Sequence, residues 1–146
     1  MSNLQVTFCA ALLLTACSGP MLEEGRYELQ VSIEENSCEP FELDLAAGLL
    51  LDIEVVEDDV WSAIELTHDV AFTGYFQGGG AIAFGTQSAA LDDGGLRYSD
   101  WYAELYPASD VDFRGLMSIE VQTQGVIEAL CSARLEVAGI SSVDGG

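Results

Sequence analysis

From Tyr27 onward the chain alternates apolar and polar residues with a period of two, and that period builds strands rather than helices. Tyr27, Leu29, Val31 and Ile33 alternate with Glu28, Gln30, Ser32 and Glu34. One face of such a segment is buried and the other is wet. Phe41, Leu43 and Leu45 against Glu42 and Asp44 predict a second short strand after a turn at 36–40. A more continuously apolar run at 49–56 ends in the acidic corner Glu57-Asp58-Asp59, and two further strands at 60–67 and 70–77 turn about His68-Asp69. Gly78-Gly79-Gly80 marks a turn before a strand at 81–91, and Asp92-Asp93-Gly94-Gly95 is the strongest hairpin signal in the chain. Residues 98–106 read two ways. Trp101, Ala103 and Leu105 alternate as in a strand, but Ser99 or Asp100 could cap a short helix ending before Pro107. Strands at 113–122 and 126–137 then flank a Gln124-Gly125 turn, with Ile127, Ala129, Cys131, Ala133, Leu135 and Val137 sharing one face.

About eight or nine strands at this spacing predict an all-β fold, a single antiparallel barrel or sandwich with little room for helices.

The N-terminus has a different character. Residues 1–16 carry no charged side chain and run from Val6 through Leu14 as an apolar stretch, too short to span a bilayer as a stable helix. The stretch ends in Leu14-Thr15-Ala16-Cys17, which resembles the bacterial lipobox, and the chain is therefore similar to the bacterial lipoprotein class. The resemblance implies cleavage before Cys17, a diacylglycerol on its sulfur and further acylation, for instance by palmitate, at the new amino terminus. Ser18 after the cysteine resembles the pattern that sorts such proteins to the outer membrane. Ala16-Cys17-Ser18 also satisfies the small-x-small rule, and ordinary cleavage there would release a free chain beginning at Gly19. Several acyl chains give stable anchoring where one is marginal. The implied organisation is a signal peptide at 1–16, a lipid-anchored tether at 17–24, a β-domain at 25–140 and a loose tail at 141–146. No second apolar run follows the signal, so the lipid would be the sole membrane attachment.

Cys9 leaves with the signal and Cys17 takes lipid, which leaves Cys38 and Cys131. In an oxidising compartment these two are read as one disulfide, contributing roughly 3 to 5 kcal/mol by closing a long loop. The bridge would tie an early strand to the last and favour a closed barrel over a sandwich. Zinc is a poor reading of two isolated cysteines and one histidine.

Twenty-five Asp and Glu stand against four Arg and no Lys, a formal net charge of -21, all of it in the mature domain. Nucleic acid is thereby excluded as a partner, because two polyanions repel. The lysine-free acidity fits a protein exposed to high salt, where screening removes self-repulsion, and equally an acidic envelope protein of an ordinary bacterium.

Gly25-Arg26-Tyr27, which looks like a Gly-x-Trp opening with Tyr for Trp, together with Arg134 in the final strand, resembles the lipocalin-like barrels. That resemblance implies a small apolar ligand. Trp61, Trp101 and the five tyrosines read as core and rim aromatics.

No motif assigns catalytic residues. His68-Asp69 reads as a solvated turn, without a Gly-x-Ser-x-Gly elbow elsewhere. The acids offer no defined carboxylate pair for hydrolysis. Calcium is a candidate partner through Glu57-Asp58-Asp59, Asp92-Asp93 and Asp110 with Asp112, none in an EF-hand pattern, and no metal site or cofactor is assigned. The expected function is a non-enzymatic binding or structural role for a lipoprotein of the outer membrane. The alternatives are a carrier of small apolar ligands and a small hydrolase using acidic residues.

Overall fold

The computed structural model describes residues 22–142 apart from 78, 91–94 and 110. The signal, Cys17 with most of its tether, the Asp92-Asp93-Gly94 turn, Asp110 and residues 143–146 lie outside the described residues.

Eight strands follow in order: β1 Gly25–Asn36, β2 Leu49–Glu57, β3 Val60–Glu65, β4 Val70–Gln77, β5 Gly80–Ala90, β6 Leu96–Pro107, β7 Asp112–Thr123 and β8 Cys131–Ser141. Each pairs antiparallel with the next, and β8 pairs with β1 from Tyr27↔Ser141 to Asn36↔Ala133. The sheet is therefore a closed up-and-down barrel without a free edge. The ambiguous 98–106 segment is strand throughout, because Trp101, Ala103 and Leu105 find an apolar interior on one side.

Alternation decides what faces inward. Tyr27, Leu29, Leu51, Ile53, Phe72, Leu105, Phe113, Met117, Ile119 and Leu135 are buried and fill the barrel together with Trp61 and Trp101. Glu28, Glu54, Asp100, Glu120 and Glu136 point outward into solvent. A barrel that spans a bilayer has the reverse pattern, with an apolar belt outside. Among the described residues no helix is long and apolar enough to cross a membrane.

The registers sort the connections into two ends. At the base lie the entering chain, the β2–β3, β4–β5 and β6–β7 turns, and the exit after β8. Leu22, within the expected tether, is buried in the core there, and the Tyr27 hydroxyl donates to the Glu23 carbonyl at 2.9 Å. At the mouth lie the 37–48 loop, the 66–69 turn and the 124–130 loop. Cys38 and Cys131 are bonded there across a separation of 93 residues, with Cα atoms 5.0 Å apart.

Two expected strand segments are loops instead. Residues 40–47 form turns, since Glu42 and Leu43 donate to the Glu39 carbonyl and the Glu42 carboxylate accepts the Glu39 N–H at 2.8 Å. The alternation there is real but has another cause: Leu43 and Leu45 plug the mouth, while Phe41 is 75% exposed. Likewise β8 begins only at Cys131. Ile127, expected on its buried face, is 99% exposed, because 124–130 is a loop tied down by Leu130 N–H donating to the Val121 carbonyl.

Close packing of the interior gives one direct prediction. A methyl group on Gly139 of β8 would run into the ring of Phe113, which is itself 1% exposed. Gly139→Ala should lower the unfolding free energy by about 1–3 kcal/mol, read from urea denaturation. An unchanged midpoint would mean that the ring is loosely held.

Candidate functional site

The richest chemistry of the described residues gathers at the mouth. Period two aims the third inward residue of β3, after Trp61 and Ala63, into the barrel, and that residue is Glu65. Its carboxylate is completely buried. The adjoining turn supplies its partners: Asp69 takes a left-handed backbone, φ 57°, and folds the turn back over the end of β3. Glu65 Oε2 accepts the N–H groups of Leu50 at 2.7 Å and Thr67 at 3.1 Å. Oε1 accepts the His68 N–H and meets His68 Nδ1, both at 2.7 Å.

The other ring nitrogen, Nε2, lies 2.7 Å from the carbonyl oxygen of Asp44 in the 37–48 loop. A carbonyl can only accept, so Nε2 must donate. Burial pushes Glu65 up, but its hydrogen bonds from His68 and from three backbone N–H groups together hold it below the ordinary carboxylate value. The carboxylate is therefore an acceptor as well, and Nδ1 also donates. With both ring nitrogens facing acceptors, the arrangement favours the doubly protonated ring of His68, whose pKa is raised first by the hydrogen bond to Glu65 against the opposing pull of burial. Its side chain is only 15% exposed and its ring lies 5.4 Å from that of Trp101. The solvated histidine expected from the sequence is instead a half-buried latch joining the barrel rim to the loop. The immobilising contacts come from a residue three positions earlier and from a loop 24 positions away.

Arg97 makes a second latch. It continues the inward series Ser99, Trp101, Ala103 and Leu105 to the rim of β6. Its Nη1 donates to the Phe41 carbonyl at 3.3 Å, and its guanidinium sits 5.8 Å from the Phe41 ring centroid. Its Nε is shielded from solvent and has no hydrogen-bond partner among the described residues.

Between loop and rim lies a cleft of about 340 Å³, bounded by Phe41, Leu43, His68, Arg97, Trp101 and Val121. Its lining mixes the apolar Phe41, Leu43, Trp101 and Val121 with the polar Glu42, Asp44, Gln87 and Ser99, and includes one unsatisfied cationic donor, in a protein whose charge is otherwise strongly negative. A small molecule with both apolar and polar groups and an acceptor atom for Arg97 suits that lining.

The remaining sequence candidates fall elsewhere. Among the described residues no three His, Cys, Asp or Glu side chains form a metal-holding group. Asp58 turns the β2–β3 corner with φ 54°, and Asp112 is taken up by the Ser109 hydroxyl. Asp92, Asp93 and Asp110 lie outside the described residues. The eight-stranded meander is the architecture that the lipocalin resemblance implies, but the two residues carrying it do not meet. Tyr27 is buried at the base opposite Ser141, whereas Arg134 is exposed near the mouth, opposite Glu35.

Glu65 and Arg97 were not singled out by the sequence reading. The signal was present in both cases, a charged residue at an inward position of an alternating strand. We found no match to a family model, a curated protein or a solved structure, so the site is read from its geometry alone.

Proposed function

We propose that the chain is a bacterial lipoprotein, acylated on Cys17 and held at the outer membrane, whose barrel serves as a non-enzymatic binding domain. The observation that carries this reading is polarity: the chain enters and leaves at the base, while the cleft lies at the opposite end. From Cys17 to the buried Leu22 at most roughly 18 Å of chain intervenes. The base then sits against the membrane and the mouth faces away from it.

A binding role is favoured over hydrolysis by how the buried ionisable groups are used. Glu65 and His68 spend every donor and acceptor named above on each other and on backbone, which holds a loop but leaves no free base. The apolar-carrier alternative is favoured in a narrower form. The barrel interior is filled by its own side chains, so a small apolar ligand would occupy the cleft under the 37–48 loop, with Arg97 meeting its polar end.

Fractionation tests the anchor. The wild-type chain should remain with membranes through high-salt washing and leave only with detergent, while Cys17→Ala should appear in the soluble fraction. Release of the wild type by salt alone would remove the lipoprotein reading. Solvent extraction of the detergent-purified protein tests the ligand: a small molecule recovered from wild type and lost from Arg97→Met is expected. Equal recovery from both would place the ligand elsewhere.

A further inference from the structure

The 37–48 loop roofs the mouth cleft. Phe41, Leu43 and Asp44 of the loop form one side of it, and His68, Arg97 and Trp101 of the barrel form the other. The roof is fixed at both ends and lightly held between them. At one end Cys38 is bonded to Cys131, and the Ser37 N–H donates to the Ser132 carbonyl at 2.9 Å. At the other, Gly48 takes a left-handed backbone, φ 82°, before β2 begins at Leu49.

Between these points two barrel side chains, among the described residues, donate to the roof. Arg97 Nη1 reaches the Phe41 carbonyl at 3.3 Å, and His68 Nε2 reaches the Asp44 carbonyl at 2.7 Å. Leu43 and Leu45, both buried, add apolar contact.

The shorter bond is conditional, because it exists only while Nε2 carries a proton. The other ring nitrogen faces the wholly buried Glu65 carboxylate at 2.7 Å. A ring that gives up one proton keeps the one beside that negative charge. Nε2 then turns a lone pair toward the Asp44 carbonyl, and an attraction becomes a repulsion between two acceptors. Glu65 from β3 and Asp44 from the loop both favour the doubly protonated ring, the Glu65 hydrogen bond first, while burial opposes it. Glu42 from the loop and Arg97 and Tyr98 from β6 line the same cleft, and Asp69 follows His68 in the turn. Glu42 accepts the Glu39 N–H at 2.8 Å and Arg97 holds Phe41, so His68 remains the donor to Asp44.

We propose, building on the reading of the mouth as a ligand site, that the 37–48 loop is a proton-operated lid, latched while both ring nitrogens of His68 are protonated and released when Nε2 loses its proton. A bound molecule is retained under the closed lid and freed when it opens. The lid is shut below the free imidazole value of about 6.5 and opens as pH rises through the higher value of the folded protein. Loss of a hydrogen bond from a charged donor raises the open fraction by about tenfold. The two buried leucines keep the loop in register, so the change is in how often the lid opens and not in the fold.

The chain has two tryptophans, which report on opposite ends of the barrel. Trp101 lines the cleft with its ring 5.4 Å from that of His68, whereas Trp61 is buried beside the β2–β3 turn at the base. Acrylamide quenching of Trp101 in Trp61→Phe reads the entry of a small neutral molecule into the cleft. It should rise by about tenfold between about pH 6 and about pH 9. Its midpoint should coincide with the NMR titration of the His68 ring, the single histidine of the chain. Adding His68→Gln should abolish the rise, and Trp101→Phe, which leaves Trp61 as the reporter, should show none. A rise that persists without His68, a midpoint apart from that of the ring, or an equal rise at Trp61 would each overturn the lid. Because quenching is read without ligand, a mouth that opens in this way but yields nothing on solvent extraction would remove the binding reading and leave the switch standing.

Discussion

Glu65→Gln should lower the unfolding free energy by about 3–5 kcal/mol, measured by urea denaturation near pH 6. Glu65 is wholly buried and accepts from three backbone N–H groups and the His68 ring. A glutamine presents one oxygen and one NH2 to the same donors, so at least two of them lose their acceptor and the His68 charge loses its partner. Buried donors without partners, and a buried charge without its counter-ion, carry the large penalties. A variant already unfolded at pH 6 lies on the same side of this expectation. A loss below about 1 kcal/mol would show that water reaches the site and replaces the carboxylate.

The pair also fixes the sign of the pH dependence. His68 has a raised pKa in the fold. Its stabilisation is complete below the free imidazole value of about 6.5 and is lost as pH rises through the higher folded value. Glu65 has a lowered pKa. Its contribution is present above the ordinary carboxylate range and is lost as pH falls through the lower folded value. The two together stabilise most between roughly pH 4.5 and 6.5. Wild-type stability should therefore decline as pH rises past neutrality. In His68→Gln that decline should flatten, because no imidazolium remains to be discharged. The 37–48 loop is the segment that loosens, since Nε2 donates to Asp44 only while protonated there.

Removing the bridge should have a comparable effect. Cys38→Ala with Cys131→Ala is expected to lower the unfolding free energy by about 4 kcal/mol, because the disulfide closes a loop of 93 residues and that closure restricts the unfolded chain. The bridge also joins the start of the 37–48 loop to the start of β8 at the point where the barrel closes. Amide exchange should accordingly rise first in the loop and at the Asn36–Ala133 end of the β1–β8 ladder. A change under about 1 kcal/mol would indicate that the reduced chain is already compact.

Period two carried most of the fold. It placed the strands about the 66–69 turn, β7 and the first half of β1, where Tyr27 and Leu29 are buried, because each has one apolar and one solvated side; Ile33, expected on the same buried face, is 51% exposed beside a register shift in β1. It misled at Phe41, Leu43 and Leu45, where the alternation belongs to a loop: Leu43 and Leu45 plug the barrel mouth rather than join a ladder, and Phe41 stays exposed. It misled again at Ile127 and Ala129, which continue the β8 pattern in sequence but sit in a loop held by Leu130. The site was harder to see. Histidine in a turn is ordinarily wet, and what buries His68 is a loop that folds over it from 24 residues earlier. Glu65 was legible in principle, as an acid at the inward position after Trp61 and Ala63. One acid among twenty-five gives no reason to choose it until the strand's facing is known. Arg97 needed the same knowledge of β6.

The central claim, an acylated lipoprotein whose barrel is closed by a disulfide, is tested most directly by intact mass. The protein should be extracted with mild detergent from its own membranes and weighed under native conditions. The expected mass is that of residues 17–146 plus acyl groups, with no free thiol. An unlipidated chain beginning at Gly19 would contradict the anchor, and free thiols at Cys38 and Cys131 would contradict the bridge.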